Sequence, residues 1–401
     1  MSKQKAKAAG RNGKPGRSTK APDEPSRFHP HATSGKGESN AVYKIPASDG
    51  AATMSLADIV GQTAAAEIEG TGHIRFHSVG DTGNGPHSMQ EVVAEAMIRD
   101  VDPANHAASP AFFFHLGDVI YGSGKEDLYA DEFYRPYQSY PNKIIAIPGN
   151  HDGEEHQTAD KVSLQAFRDN FCSPAGQQPP AAAKFGFQMV HQPGVYWILK
   201  TQLLELVGLY SNAGETKGTL GDQTIGMDQL DWLEKTLQQI SDDRKRGNRK
   251  ALIFGTHHQP YGRGLQAKGH GHPGNQFMLS QLEEKWKATG IWPDLVLSGH
   301  AHKYERYMRT EVIGGKRKTI PFLVIGAGGH AVQQAAPNIN TTVGNVTYAM
   351  GAPLKGTAPA AFSHYGYGYL TVTVTKNTIE ALYTLVEEGH RQPLETVSVP
   401  L

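Results

Sequence analysis

Short apolar runs with the composition of β-strands recur along the middle of the chain, and each is followed by a polar or glycine-rich turn. They lie at residues 74–79, 111–116, 143–147, 250–254 and 294–297. Runs of this length that are rich in β-branched and aromatic residues are typical of buried strands. Segments with apolar residues at helical spacing lie between them, as at 89–97 and 230–240. Strand, turn and helix in alternation predict an α/β fold, with helices packed on a sheet.

The pattern changes in the carboxy-terminal part of the chain. Residues 320–325, 369–375 and 378–386 are predicted strands with no helix between them. Such antiparallel strands predict a second, mixed sheet. The polar segment 335–361, which contains glycine and proline, is predicted to be a loop.

The first 72 residues differ from the rest in composition. Their first 20 residues carry lysine and arginine among glycine, alanine and serine, without a single acid. Such a segment buries too little apolar area to offset its ordering entropy, so we predict a disordered tail over 1–72 and a folded domain over 73–401. A tether to nucleic acid or an anionic surface is one interpretation of the tail, and a solubilising linker is the favoured one. A short helix is predicted within it at residues 54–60.

Global charge and cysteine content restrict the classes of protein. The 401 residues include 39 basic and 39 acidic side chains, so nothing in the net charge indicates a nucleic-acid or membrane partner. The single cysteine, Cys172, excludes an intramolecular disulfide and fits a reducing compartment. The sequence shows no secretory signal, so a cytoplasmic location is expected, with export left open. The 19 histidines, several beside glycine, are the first indication of a metal site.

Polar side chains with metal-binding chemistry follow the predicted strands. They are Asp81, Asp118, Asn150, His258, His300 and His302, with Tyr121 one turn after Asp118. One such residue is unremarkable, because turns favour Asp and Asn and a lone histidine is often structural. Several in succession are expected to converge, since ligands of open α/β sheets bind at the carboxyl ends of strands. Carboxylate and phenolate suit a hard trivalent cation, and imidazole suits zinc, iron or copper. A carboxylate can also bridge two metals, which lie roughly 3.5–4 Å apart in two-metal phosphate sites.

The motifs occur in the order found in one enzyme family. They are Gly-Asp-x-Gly at 80–83, Gly-Asp-x-x-Tyr at 117–121, Gly-Asn-His-Asp at 149–152, His-x-Pro at 258–260 and Gly-His-x-His at 299–302. Over about 74–307 the chain resembles the calcineurin-like metallophosphoesterases. Tyr121, together with Gly83 where that family usually has histidine, resembles the purple acid phosphatases more narrowly. The resemblance implies a four-layer αββα sandwich, in which helices flank two mixed β-sheets and the metal site lies at the carboxyl ends of strands.

The resemblance also implies roles for these residues and a function. A ferric ion would be held by Asp81, Tyr121 and His302, with Asp118 as the bridge. A divalent ion (Fe, Zn or Mn) would be held by Asn150, His258 and His300. His151 matches a histidine that contacts the substrate phosphate without binding metal. The expected function is hydrolysis of small-molecule phosphomonoesters by a binuclear metal centre.

Several residues and functions stay open at this stage. His257 adjoins His258, and the His-x-Pro spacing favours His258 as the ligand. The loop histidines His270 and His272 are candidates to protonate the leaving group, or are surface residues without a role. Tyr307, His330 and the loop around Cys172 have no match in the family pattern.

Other functions compete with a monoesterase. The nearest is a phosphodiesterase that acts on nucleotide or lipid-headgroup esters with the same site. A metal-free protein-binding scaffold is disfavoured, because every ligand position carries a competent donor. Nucleic-acid binding through the basic tail is a third possibility that the neutral net charge does not favour. The sequence does not indicate an oligomeric state.

Overall fold

A computed structural model describes residues 44–85, 88–102, 104–105, 108–122, 124–153, 164–174, 177–215, 217–262, 272–332, 341–343, 346–348, 362–364 and 366–401. The strands are β1 Thr53–Ser55, β2 His73–Val79, β3 Phe112–His115, β4 Lys143–Ala146, β5 Trp197–Lys200, β6 Leu204–Leu209, β7 Ala251–Thr256, β8 Leu295–Ser298, β9 Tyr304–Ile313, β10 Lys316–Ile325, β11 Thr341–Val343, β12 Val346–Tyr348, β13 Phe362–His364, β14 Tyr367–Thr375, β15 Thr378–Glu387 and β16 His390–Pro400. The α-helices are α1 Leu56–Val60, α2 Gln62–Gly70, α3 Met89–Ile98, α4 Arg135–Tyr137, α5 Gln165–Phe171, α6 Pro180–Lys184, α7 Asp228–Lys245 and α8 Gln276–Thr289.

The described strands form two sheets. One has the order β1-β5-β6-β7-β8-β10-β9-β13-β12-β11, and the other has the order β16-β15-β14-β2-β3-β4. In the first sheet β6, β7 and β8 are parallel neighbours, whereas β9 and β10 form an antiparallel pair. In the second sheet β2, β3 and β4 are parallel, and β14 joins β2 in antiparallel orientation. Both sheets are therefore mixed, as predicted.

Alternation of side chains along the strands produces the four layers. On β7, Phe254 points to the helices α7 and α8 and meets the Trp286 ring at a centroid distance of 5.6 Å. The neighbouring Ile253 belongs to the core between the sheets. Phe114 of β3 meets Trp197 of β5 edge-to-face across that core, with centroids 5.4 Å apart. The αββα arrangement is confirmed, and the carboxyl ends of the parallel strands of both sheets lie at one rim.

The amino-terminal boundary differs from the prediction. Residues 1–43 lie outside the described residues, but β1 pairs in parallel with β5, and Leu56, Ile59 and Ile68 are buried. The tail predicted over 1–72 is therefore too long, because a few apolar residues at helical spacing are enough to pack α1 and α2 against the fold. The short helix predicted at 54–60 is confirmed as α1, with Ser55 and Asp58 forming a capping box.

Two long strands were not predicted, and one loop prediction was partly wrong. β9 carries charged residues along its length and β16 is mostly exposed, so neither shows a strong apolar pattern. Within the predicted loop 335–361 the structure places β11 and β12, and the remainder of that segment lies outside the described residues. No helix in the described part of the chain has the length and apolar content required to cross a membrane.

Candidate metal centre

The polar residues predicted at strand ends lie together at the common rim. Asp81 follows β2, Asp118 follows β3 and Asn150 follows β4, all in one sheet, whereas the histidines follow β7 and β8 of the other. Three of these residues have left-handed backbones: φ is 59° at Asp81, 50° at Asp118 and 67° at His300. Such φ values are uncommon outside glycine and often mark functional sites. The sharp turns direct these side chains into the seam between the sheets.

A first group of donors consists of Asp81, Tyr121 and His302. The Tyr121 hydroxyl lies 3.3 Å from Asp81 Oδ1 and 3.1 Å from His302 Nε2. Asp81 Oδ1 and His302 Nε2 are 3.4 Å apart. Donors bound at about 2.0–2.2 Å to one ion lie roughly 3 Å from one another, so these three atoms fit the coordination shell of a single cation.

A second group consists of Asn150, His257, His258 and His300. The ligand atoms of its three histidines all lie within 4.8 Å of one another and are buried. His258 Nε2 and Asn150 Nδ2 are buried with no hydrogen-bond partner, although Ser211 Oγ bonds His258 Nδ1 at 3.0 Å. A buried imidazole nitrogen is costly without a partner, and a cation would satisfy it. The donor chemistry of this group therefore fits a metal ion as well.

Asp118 connects the two groups through His257. Asp118, Asp81 and His257 also have ligand atoms within 4.8 Å of one another. His257 Nδ1 donates to the Leu116 carbonyl at 2.9 Å, which leaves Nε2 facing Asp118 Oδ2 and Asn150 Oδ1, both at 3.2 Å. Three lone pairs that converge in this way require a proton or a cation between them. Burial lowers the pKa of His257, but the Asp118 charge outweighs it and raises that pKa to about 9.

The sequence favoured His258 over its neighbour as a ligand, whereas the structure brings both histidines to the site. The His-x-Pro spacing does not separate them, because the chain turns after β7 and exposes two consecutive rings to the same space. Their ring centroids are 5.1 Å apart, nearly perpendicular. His257 is therefore added to the candidate donors.

Asp152 holds the loops after β3 and β4 together. Its carboxylate accepts backbone N–H bonds from Gly149 at 2.8 Å, Val119 at 3.1 Å and Ile120 at 3.3 Å. Gly149 itself touches Asp118 so closely that a Cβ there would lie 2.0 Å from Oδ1. The sequence contained Asp152 in the Gly-Asn-His-Asp motif, but its bracing role depends on contacts that only the fold shows.

Gly83 and His330 explain how the first group differs from the usual family pattern. A Cβ at Gly83 would lie 2.7 Å from Ile120 Cα, so no histidine fits there. His330, which had no match in the sequence, donates from Nδ1 to the Gly83 carbonyl at 3.0 Å and stacks on Tyr121 with centroids 3.5 Å apart. In the sequence, the only indication of a role for His330 is that it follows two glycines.

Of the remaining candidate residues, His151 and His272 lie beside these donors. The His151 ring lies 4.5 Å from that of Tyr121, and its backbone N–H donates to Asp118 Oδ1 at 2.9 Å. His272 Nδ1 lies 2.9 Å from His300 Nε2, and burial lowers the pKa of His272 to about 3. His270 lies outside the described residues. Cys172 is partly buried, and burial raises the pKa of its thiol to about 12.

Comparison with known proteins points to one family. The calcineurin-like phosphoesterase family model matches residues 74–304. Among solved structures, GAP50, the anchor in the inner membrane complex of Plasmodium, is 12% identical, with 82% of this chain and 89% of that chain covered and a TM-score of 0.53. This likeness concerns the fold alone.

Two further solved structures are similar with lower TM-scores. PhoD is 14% identical, with coverage of 81% and 69% and a TM-score of 0.47. Vacuolar protein sorting 29 from Cryptosporidium parvum is 12% identical, with coverage of 82% and 98% and a TM-score of 0.30. No curated protein matches the sequence.

Proposed function

The chain belongs to the calcineurin-like phosphoesterase family of metal-dependent phosphoesterases, and we propose that it is a phosphomonoester hydrolase with a binuclear centre of the purple acid phosphatase type. The observation that carries this proposal is the pair of donor groups joined by Asp118 and His257. The Tyr121 hydroxyl, at donor distance from Asp81 and His302, supports the purple type.

The two groups would hold chemically different ions. Asp81, Tyr121 and His302 form the harder set, suited to Fe(III), and Asp118 lies between the sets. Asn150, His258 and His300, with His257 beside them, form the set suited to a divalent ion (Fe, Zn or Mn). When bound, two such ions offset the charge of a phosphate ester and make a water nucleophile available near neutral pH.

Side chains of this protein would position the substrate phosphate. His151 lies at the rim, half-buried against Tyr121, where its ring can donate a hydrogen bond to a phosphate oxygen. Asp152 keeps the Asp118 and Asn150 loops at a fixed spacing. Of the loop histidines, burial keeps His272 neutral, so it is a weak candidate for the leaving-group acid, and His270 is the alternative.

Replacing Asp118 with Asn tests the proposal directly. Asn cannot bridge two cations with the charge of a carboxylate, so Asp118→Asn should lose bound metal and hydrolysis of a chromogenic phosphomonoester together. Metal content by elemental analysis and turnover by absorbance give the two readouts. Asp131→Asn is the matched control, because Asp131 is an exposed residue paired only with Arg135 on the surface. Full activity or full metal content in Asp118→Asn would disprove the assignment.

The rival phosphodiesterase differs in substrate and shares the metal site. Initial rates on a phosphomonoester and on a bis-ester with the same chromophore separate the two activities. A faster bis-ester reaction would replace the monoesterase proposal and leave the metal centre in place. A purified protein that takes up no metal would instead favour a scaffold function.

A further inference from the structure

We propose that the segment Gly328–Ala331, here called the brace segment, positions all three donors of the first group, with His330 as its main positioning residue. The proposal rests on the proposed function, because it assumes that Asp81, Tyr121 and His302 hold one ion. It adds a residue that the family motifs do not include.

The backbone of the brace segment runs along the loop that carries Asp81. The Gly328 N–H donates to the Gly80 carbonyl at 3.1 Å, and the His330 N–H donates to the Asp81 carbonyl at 3.0 Å. Asn84 returns a bond from its amide Nδ2 to the Gly329 carbonyl at 3.1 Å. The left-handed backbone of Asp81 is thereby held from the outside.

The side chain of His330 fixes the plane of Tyr121. The two rings are parallel within 4° with centroids 3.5 Å apart, and Tyr121 is 8% exposed. The bond from Nδ1 to the Gly83 carbonyl prevents the imidazole from sliding over the phenol. With its ring plane set, Tyr121 directs its hydroxyl at Asp81 and His302.

The brace segment also orients the third donor. His302 Nδ1 donates to the Ala331 carbonyl at 2.8 Å, which leaves Nε2 as the metal-facing atom. Hydrogen bonds of this kind fix the tautomer and orientation of a ligand histidine. Two members of the second group are held by other residues, because Ser211 bonds His258 and the Leu116 carbonyl bonds His257. The third, His300, donates its backbone N–H to Asp81 Oδ2 at 2.7 Å. Damage to the brace segment should therefore weaken binding at the first group more than at the second.

Three variants of the 401-residue chain test this inference. His330→Ala removes both the stack and the Nδ1 bond, His330→Phe keeps a stacking ring, and Val332→Ala is the control at a half-buried neighbour outside the brace segment. Chelator-stripped proteins are titrated with Fe(III) and with Zn(II), and bound metal is counted after gel filtration. We expect His330→Ala to bind one ion roughly 10–100-fold more weakly, as is typical when a partner of a ligand is lost, and the other ion with a clearly smaller change. His330→Phe should recover most of that affinity, and Val332→Ala should match the parent protein.

A metal-free readout separates this inference from the proposed function. In protein with 13C-labelled tyrosine, the Tyr121 ring signal is assigned by its loss in Tyr121→Phe. Its ring-current shift should change in His330→Ala and persist in His330→Phe. If the parent protein binds no ion, the proposed function fails, and the Tyr121 signal still decides whether His330 positions the ring. An unchanged Tyr121 signal, or equal weakening of both ions in His330→Ala, would overturn the inference.

Discussion

Tyr121 has an oxygen at donor distance from a carboxylate and an imidazole, and its ring stacks on His330, a contact that does not involve the hydroxyl. Removal of the oxygen should therefore leave the ring in place. We expect Tyr121→Phe to keep its fold and to lose the visible charge-transfer band of the Fe(III)-loaded protein, because no phenolate is left to donate. Absorption spectra of loaded protein check this. A band that persists in Tyr121→Phe would assign the colour to another residue.

Close contacts leave no room for a side chain at Gly83, whereas Gly70 has open space. A Cβ at Gly83 would lie 2.7 Å from Ile120 Cα and 2.9 Å from the Val119 carbonyl, whereas nothing lies within 4 Å of one at Gly70. We expect Gly83→Ala to lower the free energy of unfolding by about 1–3 kcal/mol, because backbone must shift. Gly70→Ala in α2 should be neutral or stabilise by up to about 1 kcal/mol. Urea denaturation of both variants measures the difference, and equal effects would contradict the close packing.

The sequence predicted the candidate metal donors that directly follow the end of a strand. Asp81, Asp118 and Asn150 each come directly after a recognisable apolar run, so their convergence was predictable. His330 was not, because its role comes from stacking on a ring 209 positions earlier (330 − 121). The role of His257 stayed open, because spacing alone does not show that both adjacent rings turn inward.

At the scale of elements, Asn275 serves both a helix and a loop. Its Oδ1 accepts the Met278 N–H at 2.9 Å and caps α8, and its Nδ2 donates to the Lys217 carbonyl at 3.0 Å. Gly218, next along, donates to the Ser211 carbonyl at 2.9 Å, and Ser211 Oγ bonds His258. The start of α8 is thus connected to a candidate ligand.

Two substitutions at Asn275 separate these roles. Asn275→Asp keeps the capping oxygen and loses the donor to Lys217, whereas Asn275→Ala loses both. We expect Asn275→Ala to cost about 1 kcal/mol from the cap, in addition to the lost loop bond. Asn275→Asp should keep most of the stability yet bind Zn(II) more weakly. Ser55→Ala, which removes the cap of α1, is the control and should lower stability without a change in metal binding. Normal Zn(II) affinity in Asn275→Asp would show that the loop does not reach the centre.

Strands were predicted from the sequence where all their residues are buried, and were missed where most of their residues are exposed. β7 is buried throughout, so its apolar run is continuous in the sequence. β16 shows buried residues only near its end, because it forms the edge of its sheet beside β15. An edge strand is held mainly by backbone hydrogen bonds, which leave little trace in composition.

At the scale of the whole molecule, buried neutral histidine limits stability in acid. His115 accepts the Gly117 N–H at Nδ1 and bonds Thr82 through Nε2. Burial lowers its pKa to about 3, so the unfolded chain binds a proton below about pH 6.5 that the folded chain does not. The contribution of neutral His115 to the free energy of unfolding is complete above pH 6.5 and is lost as the pH falls towards 3.

Urea denaturation at pH 7 and pH 5 tests the effect. We expect His115 to account for about 2 kcal/mol of the stability lost between these values. His115→Gln should therefore lose less on acidification than the parent protein, and the exposed control His390→Gln should lose as much. An equal loss in all three would show that His115 is protonated without cost.

Metal should also contribute to global stability, because the donors come from both sheets. We expect chelator-stripped protein to melt at a lower temperature than protein reloaded with Zn(II), with about 2.7 kcal/mol of stabilisation at a free ion concentration 100 times the Kd. Asp118→Asn should show no such difference. Calorimetric scans with and without Zn(II) provide the measurement. A stripped protein as stable as the loaded one would contradict a site across the seam.

The division of donors between the sheets implies an order of events during synthesis. Asp81 and Tyr121 emerge from the ribosome far ahead of His302, and β14, which pairs with β2, follows later still. A nascent chain that ends before β8 contains Asp81, Asp118 and His257 but lacks His300 and His302, so both proposed donor groups are incomplete in it. Under the proposed function, full metal binding would therefore follow the pairing of the amino-terminal and carboxy-terminal parts of the chain. Truncated or misassembled chains would then bind less metal than the folded protein, and metal content would distinguish the two.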